Sequence, residues 1–173
     1  GLSMVYIFVK RQQGTIRLDS EPGKGTTFEL LFPCAIAVID PKPSESRQHH
    51  GQGKLILLVD DELALLDTVA DQLEALGYRT LRENDPERAQ RLLSQRSDID
   101  LLFTDILMPR LSGTELARYA RNLHPALPIL LATGFPDQYR TDELLNLPKV
   151  RLLAKPVPRA RLIDALQQLL PSA

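Results

Sequence analysis

The sequence predicts an α/β domain over residues 54–171, with a doubly wound, five-stranded parallel sheet, and three observations predict it. Apolar runs of strand length alternate five times with stretches of helical period. The runs at 55–59, 101–104 and 129–132 are almost unbroken Leu, Ile, Val and Phe, as strands covered on both faces should be. Four runs close on chemistry: Asp60-Asp61, Asp105, Thr133 and Lys155 follow the first, third, fourth and fifth. Residues that recur at strand ends in this way share the carboxyl edge of the sheet, where open α/β sheets bind ligands.

Taken in order, strands begin near Leu55, Tyr78, Leu101, Pro128 and Val150, and helices occupy 62–76, 86–95, 112–123, 137–145 and 158–170. Gly77 follows the first helix where a left-handed residue is wanted. Asp85 before Pro86 is an N-cap for the second helix. Ser112 caps the third, and Glu115 three residues later completes a capping box. The fourth stretch is poor in apolar positions and opens on Pro136. In the first helix, Leu65, Val69, Leu73 and Leu76 form a stripe expected to face the sheet. That leaves Leu63, Leu66 and Ala70 on an adjoining face beside Asp105.

Composition bounds the function. A hydrophobic content of 43% with 25% charged residues is globular, and 173 residues allow one ordinary domain plus an appendage. A net charge of −1 gives no electrostatic case for nucleic acid or an anionic membrane as partner. No apolar stretch reaches the ~18 residues of a membrane span. The single cysteine, Cys34, rules out an internal disulfide and fits a reducing cytosol. The opening Gly1-Leu2-Ser3-Met4 lacks a basic n-region, does not read as a signal peptide, and suggests a chain cut from something longer.

Two further segments precede the α/β domain. Residues 34–53 turn to Pro, Ser, Gln, His and Gly and read as a linker, with His49-His50 solvated rather than ligating. In residues 1–33, positions 4–9 look like a buried helix, followed by strands at 14–18 and 26–32 joined by a Gly-rich turn. Gly1-Leu2-Ser3-Met4-Val5, Gly14, Ile16, Ser20, Gly23, Gly25, Thr26 and Phe28 resemble the last glycine box and closing hairpin of histidine-kinase ATP-binding domains. The Asn-bearing helix, the Asp-containing glycine box and the dimerisation helices of that family have no counterpart here. The resemblance therefore implies an α+β fragment that does not bind ATP and leaves Met4, Ile7, Phe8, Phe28 and Phe32 without a partner layer.

The strand-end constellation carries the chemistry. Asp60, Asp61 and Asp105 would repel one another unless a cation neutralised them, and hard carboxylate oxygens favour Mg²⁺, with Mn²⁺ as substitute. The cation makes Asp105 a usable nucleophile towards a phosphoryl group by neutralising charge on both partners. The Lys155 ammonium and the Thr133 hydroxyl suit the phosphoryl oxygens.

Asp60-Asp61-Glu62, Asp105-Ile106-Leu107-Met108-Pro109 with Gly113, Thr133-Gly134 and Lys155-Pro156 resemble the signature of the receiver domain of bacterial two-component signalling across 54–171. The resemblance implies a flavodoxin-like fold of strand order 2-1-3-4-5 and an aspartyl-phosphate formed at Asp105 from a phosphohistidine donor. It implies Mg²⁺ held by Asp61, Asp105 and the main-chain carbonyl of Leu107, with Asp60 acting through water. The donor or acceptor would be a kinase dimerisation domain or a histidine-phosphotransfer protein, with the helix bearing Leu63 and Leu66 presented to it. With the kinase-like tail upstream, the parent resembles a hybrid sensor histidine kinase, cytoplasmic in this part and membrane-anchored elsewhere.

Two other readings share part of the pattern. Aspartyl-phosphate phosphatases of the haloacid dehalogenase type use a strand-end Asp with Thr and Lys, but need a second Asp where Leu107 stands. An unphosphorylated receiver-like interaction module would be expected to lose part of the acid cluster. Three positions depart from the common receiver pattern or bear on lifetime. Leu152 occupies the place of a switching aromatic residue. Leu107 and Phe135, two residues after Asp105 and Thr133, are apolar and would shield an acyl phosphate from water.

Overall fold

The computed structural model describes residues 2–11, 14–33, 51–139 and 143–171. Cys34, His49, His50 and most of the expected linker lie outside them. The chain divides into two compact units, Gly1–Ser46 and Arg47–Ala173.

The first unit is a helix followed by a hairpin. Helix α1 spans Leu2–Arg11, and the antiparallel strands β1 (Thr15–Glu21) and β2 (Gly25–Leu31) pair in register, with Leu18 opposite Phe28 and Ile16 opposite Leu30. Strand alternation gathers these four side chains on one face, and Leu18, Phe28 and Leu30 remain exposed. The expectation of a buried helix over 4–9 needs correction: Val9 is fully buried, but Val5, Tyr6 and Phe8 are exposed. The physical reason is coverage, because a lone two-stranded hairpin offers too little surface to bury a whole helical face. Its apolar contacts include an edge-to-face pair between Phe8 and Phe32, ring centroids 6.3 Å apart.

The second unit is the predicted doubly wound sheet. Strands β3 (Leu55–Val59), β4 (Arg79–Glu83), β5 (Leu101–Asp105), β6 (Ile129–Thr133) and β7 (Val150–Ala154) are all parallel, in the order β4-β3-β5-β6-β7. Every residue of β3, β5 and β6 is buried, as their unbroken apolar composition requires. The sheet separates two core layers. Helices α3 (Pro86–Gln95) and α4 (Gly113–Leu123) cover one face through Ala89, Leu93, Leu116, Ala117 and Ala120. On the other face, α2 (Leu63–Ala75) and α5 (Arg159–Leu169) pack through Leu66, Ala70, Leu73, Leu162 and Leu166.

The punctuation residues act as the sequence suggested. Gly77 is left-handed at φ 82 beyond the end of α2. Asp85 accepts from the Glu87 amide, and Ser112 with Glu115 forms the full capping box of α4. The turn entering β3 is pinned to the end of α2 by Gly51 N–H to the Leu76 carbonyl and Gly53 N–H to the Gly77 carbonyl.

Two expectations are corrected. Helix α2 buries Leu66, Ala70 and Leu73, while Leu65 is 37% exposed and Val69 half-buried. Both stripes obey the helical period and share Leu73, so the apolar arc is wider than the buried one. The small Ala70 takes the close approach to the sheet. Where the expected helix over 137–145 is described, it is instead two 3₁₀ turns, Pro136–Tyr139 and Glu143–Asn146, with Leu144 their buried residue; 140–142 lie outside the described residues. Prolines at 136 and 148 bracket the stretch, and too few apolar positions recur at helical spacing to bury an α-helix. Arg121 of α4 fastens this region: its guanidinium donates to the carbonyls of Pro125 and Pro148.

Candidate functional site

Parallel register brings the predicted residues together. Val59 aligns with Thr104, Asp105 with Ala132 and Thr133 with Ala154, so β3, β5, β6 and β7 end side by side. Asp60 (7% exposed) follows β3, Asp105 (9%) ends β5, and Thr133 ends β6 fully buried. Asp61 is exposed beside them. One carboxylate oxygen from each of Asp60, Asp61 and Asp105 lies within 4.8 Å of the others.

Lys155, just after β7, closes the group. Its Nζ donates to Asp60 Oδ2 at 2.6 Å and lies 3.2 Å from Asp105 Oδ2. The opposite oxygens are held by backbone: Glu62 N–H donates to Asp60 Oδ1 at 3.0 Å, and Ile106 N–H to Asp105 Oδ1 at 2.8 Å. Each carboxylate is thereby fixed at one oxygen and turned to the cluster with the other. Lys155 is itself placed by its amide, which donates to the Thr133 carbonyl at 2.8 Å. The Lys155–Pro156 peptide bond is cis. The Thr133 hydroxyl accepts from the Phe135 amide at 3.1 Å and keeps its own proton to donate. Leu107, two residues beyond Asp105, is 50% exposed at the rim.

The electrostatics follow from this packing. Burial pushes the Asp105 carboxyl above its ordinary range, and the nearby Asp60 charge adds to the rise, outweighing the pull of Lys155. Burial works against the Lys155 ammonium, but the hydrogen bond to Asp60 and the charges of Asp105 and Asp60 hold its pKa above the ordinary value. Three carboxylates face one ammonium, a local excess of negative charge built from hard oxygen donors. That donor set fits Mg²⁺.

Sequence reasoning placed all five strand-end residues but missed two features. It aimed the Lys155 ammonium at phosphoryl oxygens and did not foresee its bridge between Asp60 and Asp105. It also gave no role to Gly113, whose amide donates to the Ile106 carbonyl at 2.9 Å. A β-carbon there would come within 1.9 Å of the Asp105 carbonyl oxygen. Only glycine allows the start of α4 to lie against the end of β5.

Comparison with known proteins agrees with this geometry. Residues 56–167 match the family model described as the response regulator receiver domain. The chain is 28% identical over 181 residues to the sensor kinase CckA of Brucella abortus (strain 2308), covering 98% of this chain and 19% of the relative. It is 32% identical over 173 residues to the sensor protein EvgS of Escherichia coli O157:H7, covering 98% of this chain and 14% of the relative. The chain thus spans less than a fifth of the length of these relatives. Among solved structures, it resembles the receiver domain of the sensor histidine kinase PA1611 from Pseudomonas aeruginosa PAO1. There the TM-score is 0.60 at 29% identity, over 69% of this chain and 99% of that one. That structure has a magnesium ion coordinated in its active-site cleft.

Proposed function

Since this chain belongs to the response regulator receiver family, we propose that it accepts a phosphoryl group from a phosphohistidine onto Asp105. The observation that carries this is the strand-end cluster, with Lys155 2.6 Å from Asp60 and 3.2 Å from Asp105 beside the buried Thr133 hydroxyl. Asp61, Asp105 and the Leu107 main-chain carbonyl would hold Mg²⁺ or Mn²⁺, with Asp60 acting through water. When bound, the cation lowers the charge repulsion between carboxylate and phosphoryl group.

The chain's own residues do the rest. Ile106 N–H fixes one oxygen of Asp105, so the other attacks phosphorus as the phosphorus–nitrogen bond breaks and the imidazole leaves with its electron pair. Lys155, released from the carboxylate, pairs with a phosphoryl oxygen, and Thr133 donates its hydroxyl proton to another.

In this reading residues 54–171 are the receiver, 34–53 the linker and 1–33 the tail of a kinase ATP-binding domain that does not bind nucleotide. The support for the tail is that both sensor relatives align over 98% of the chain, not over the receiver alone. The parent is then a hybrid sensor histidine kinase and this part of it cytoplasmic. Its phosphoryl partner is a kinase dimerisation domain or histidine-phosphotransfer protein. Among the described residues, no helix is long and apolar enough to cross a membrane.

The test is intact mass spectrometry after treatment with Mg²⁺ and acetyl phosphate, with Asp105→Asn as control. A single acid-labile phosphoryl group absent from the control is expected. Label retained in Asp105→Asn would overturn the assignment. Failure of the unmodified chain to bind beryllofluoride would favour an interaction module, and turnover of free phosphate esters would favour a phosphatase.

A further inference from the structure

Helices α2 and α5 cover the same sheet face, yet a cavity of about 470 Å³ remains where α2 faces the loop between β7 and α5. Its floor is Phe103 and Ala132, one wall is Leu65 and Val69 of α2, and the other is Pro156 and Val157. Ala132 makes the room, since its methyl group stands where a larger strand residue would fill the space. At one end the cavity reaches Asp60, Asp105 and Lys155. This volume and lining, apolar with a few convergent polar groups, are those of a small-molecule site. A cavity of ~150 Å³ already accepts benzene, so this one holds an aromatic ring and a short tail.

Charge decides the ligand class. The polar end sets the Asp60 and Asp105 carboxylates against the one Lys155 ammonium, and Asp61 adjoins these two acids outside the cavity lining. It repels anions, and a neutral polar group gains less there than a cation. Apolar walls exclude a fully hydrated ion. What remains is a molecule with a protonated amine at one end and a compact hydrocarbon at the other.

We propose that this cavity binds small apolar primary amines whose ammonium enters the Asp60–Asp105 cluster and excludes divalent cations from it. The ammonium takes lone pairs of the carboxylate oxygens that face Lys155, while the ring rests on Phe103 and Ala132 between Val69 and Val157. With Lys155 already paired to Asp60 and Asp105, a second ammonium and a divalent ion draw on the same remaining carboxylate lone pairs, so amine and Mg²⁺ compete. The inference requires the cavity and the carboxylates but no phosphoryl chemistry, and Mg²⁺ binding or phosphoryl acceptance measured without amine leaves it separately testable.

The experiment is a two-dimensional NMR titration of the whole metal-free chain with phenethylamine, phenethyl alcohol and phenylacetate. Saturating shifts are expected at Leu65, Val69, Ala132 and Val157 with the amine. The alcohol should bind roughly tenfold more weakly, having lost a charge-assisted pairing, and phenylacetate more weakly still. Added Mg²⁺ should raise the apparent Kd of the amine competitively. Val69→Phe, which fills the cavity from a half-buried wall position, should weaken the amine roughly tenfold while leaving Mg²⁺ affinity unchanged, and Val157→Phe does the same from the opposite wall. Equal binding of alcohol and amine would overturn the proposal and leave the cavity a plain apolar anchor for a partner's side chain. So would shifts elsewhere, indifference to Mg²⁺, or unaltered amine affinity in both filled variants.

Discussion

Substituting Gly113→Ala puts a methyl group where the start of α4 lies against the end of β5. The new β-carbon would lie 1.9 Å from the Asp105 carbonyl oxygen, 2.8 Å from its carbonyl carbon and 3.0 Å from the Ile106 α-carbon. These are backbone atoms that cannot swing aside. Real β-carbons stay beyond 3.0 Å, so the start of α4 and the end of β5 must part by about 1.1 Å, the shortfall between 1.9 and 3.0 Å. The separation breaks the Gly113 N–H to Ile106 carbonyl bond, about 1 kcal/mol, and overpacks the junction by about 1–3 kcal/mol. Alanine's better helix propensity returns roughly 0.5–1 kcal/mol. A net loss of about 1–3.5 kcal/mol should appear as a lower urea midpoint with an unchanged m-value. The shift also displaces the Asp105 backbone, and a displacement of ~1 Å near reacting atoms can cost on the order of a hundredfold in rate. Phosphorylation by acetyl phosphate should fall accordingly. A variant with the original urea midpoint and phosphorylation rate would refute the reasoning.

Four other outcomes follow from the same structure. Tyr78 is buried and its phenol pushed up to about 12, so the folded chain keeps a proton that the unfolded chain loses from about pH 10. Stability should therefore fall as pH rises from 10 through 12, by on the order of 2 kcal/mol from this group, and Tyr78→Phe should flatten that part of a denaturation-versus-pH profile. Lys155→Met leaves Asp60 and Asp105 unpaired; it should destabilise the metal-free chain by on the order of 2 kcal/mol and tighten Mg²⁺ in a calorimetric titration, and weaker Mg²⁺ binding would count against the pairing. Leu107 at the rim is apolar, so an aspartyl-phosphate should decay slowly, and Leu107→Asn should accelerate decay several-fold by orienting water; decay within seconds in the unmodified chain would refute this. Leu63 and Leu65 are exposed on α2 while Leu66 is buried, so Leu63→Lys with Leu65→Lys should abolish transfer from a phosphohistidine donor and spare acetyl phosphate, whereas Leu66→Lys should unfold the domain.

What the sequence revealed divides along physical lines. Strands buried on both faces write their burial into every position, so Leu55–Val59, Leu101–Asp105 and Ile129–Thr133 were legible, and with them the strand-end residues of the site. Caps were legible because Asp85, Ser112 and Glu115 act through their nearest backbone neighbours. The rotation of α2 was not, because two stripes of equal period pass through Leu73 and only the fit of Ala70 against the sheet chooses between them. The stretch from Pro136 to Asn146 misled for the opposite reason, having too little apolar pattern to specify any helix. In the first unit the helix and the uncovered Phe8, Phe28 and Phe32 were legible, but not the exposure of Val5 and Tyr6, which depends on what covers them rather than on their own apolarity. In the site, the amide of Ile106 and the close approach of Gly113 are backbone effects, which residue spacing does not disclose.

The Arg121 guanidinium has a consequence for how the domain comes apart. The turns Pro136–Tyr139 and Glu143–Asn146 are single 3₁₀ turns that rest on the core through buried Leu144, with Tyr139 and Leu145 partly buried beside it, and Arg121 ties together the Pro125 and Pro148 carbonyls that flank them. Their opening free energy is therefore set locally, well below that of the sheet. The domain has two tiers of cooperativity: a slow-exchanging block of β3, β5 and β6, which carries Asp60, Asp105 and Thr133, and the faster-exchanging turns Pro136–Tyr139 and Glu143–Asn146. The region beside the site can thus reorganise many times over while the strands that aim its carboxylates stay folded.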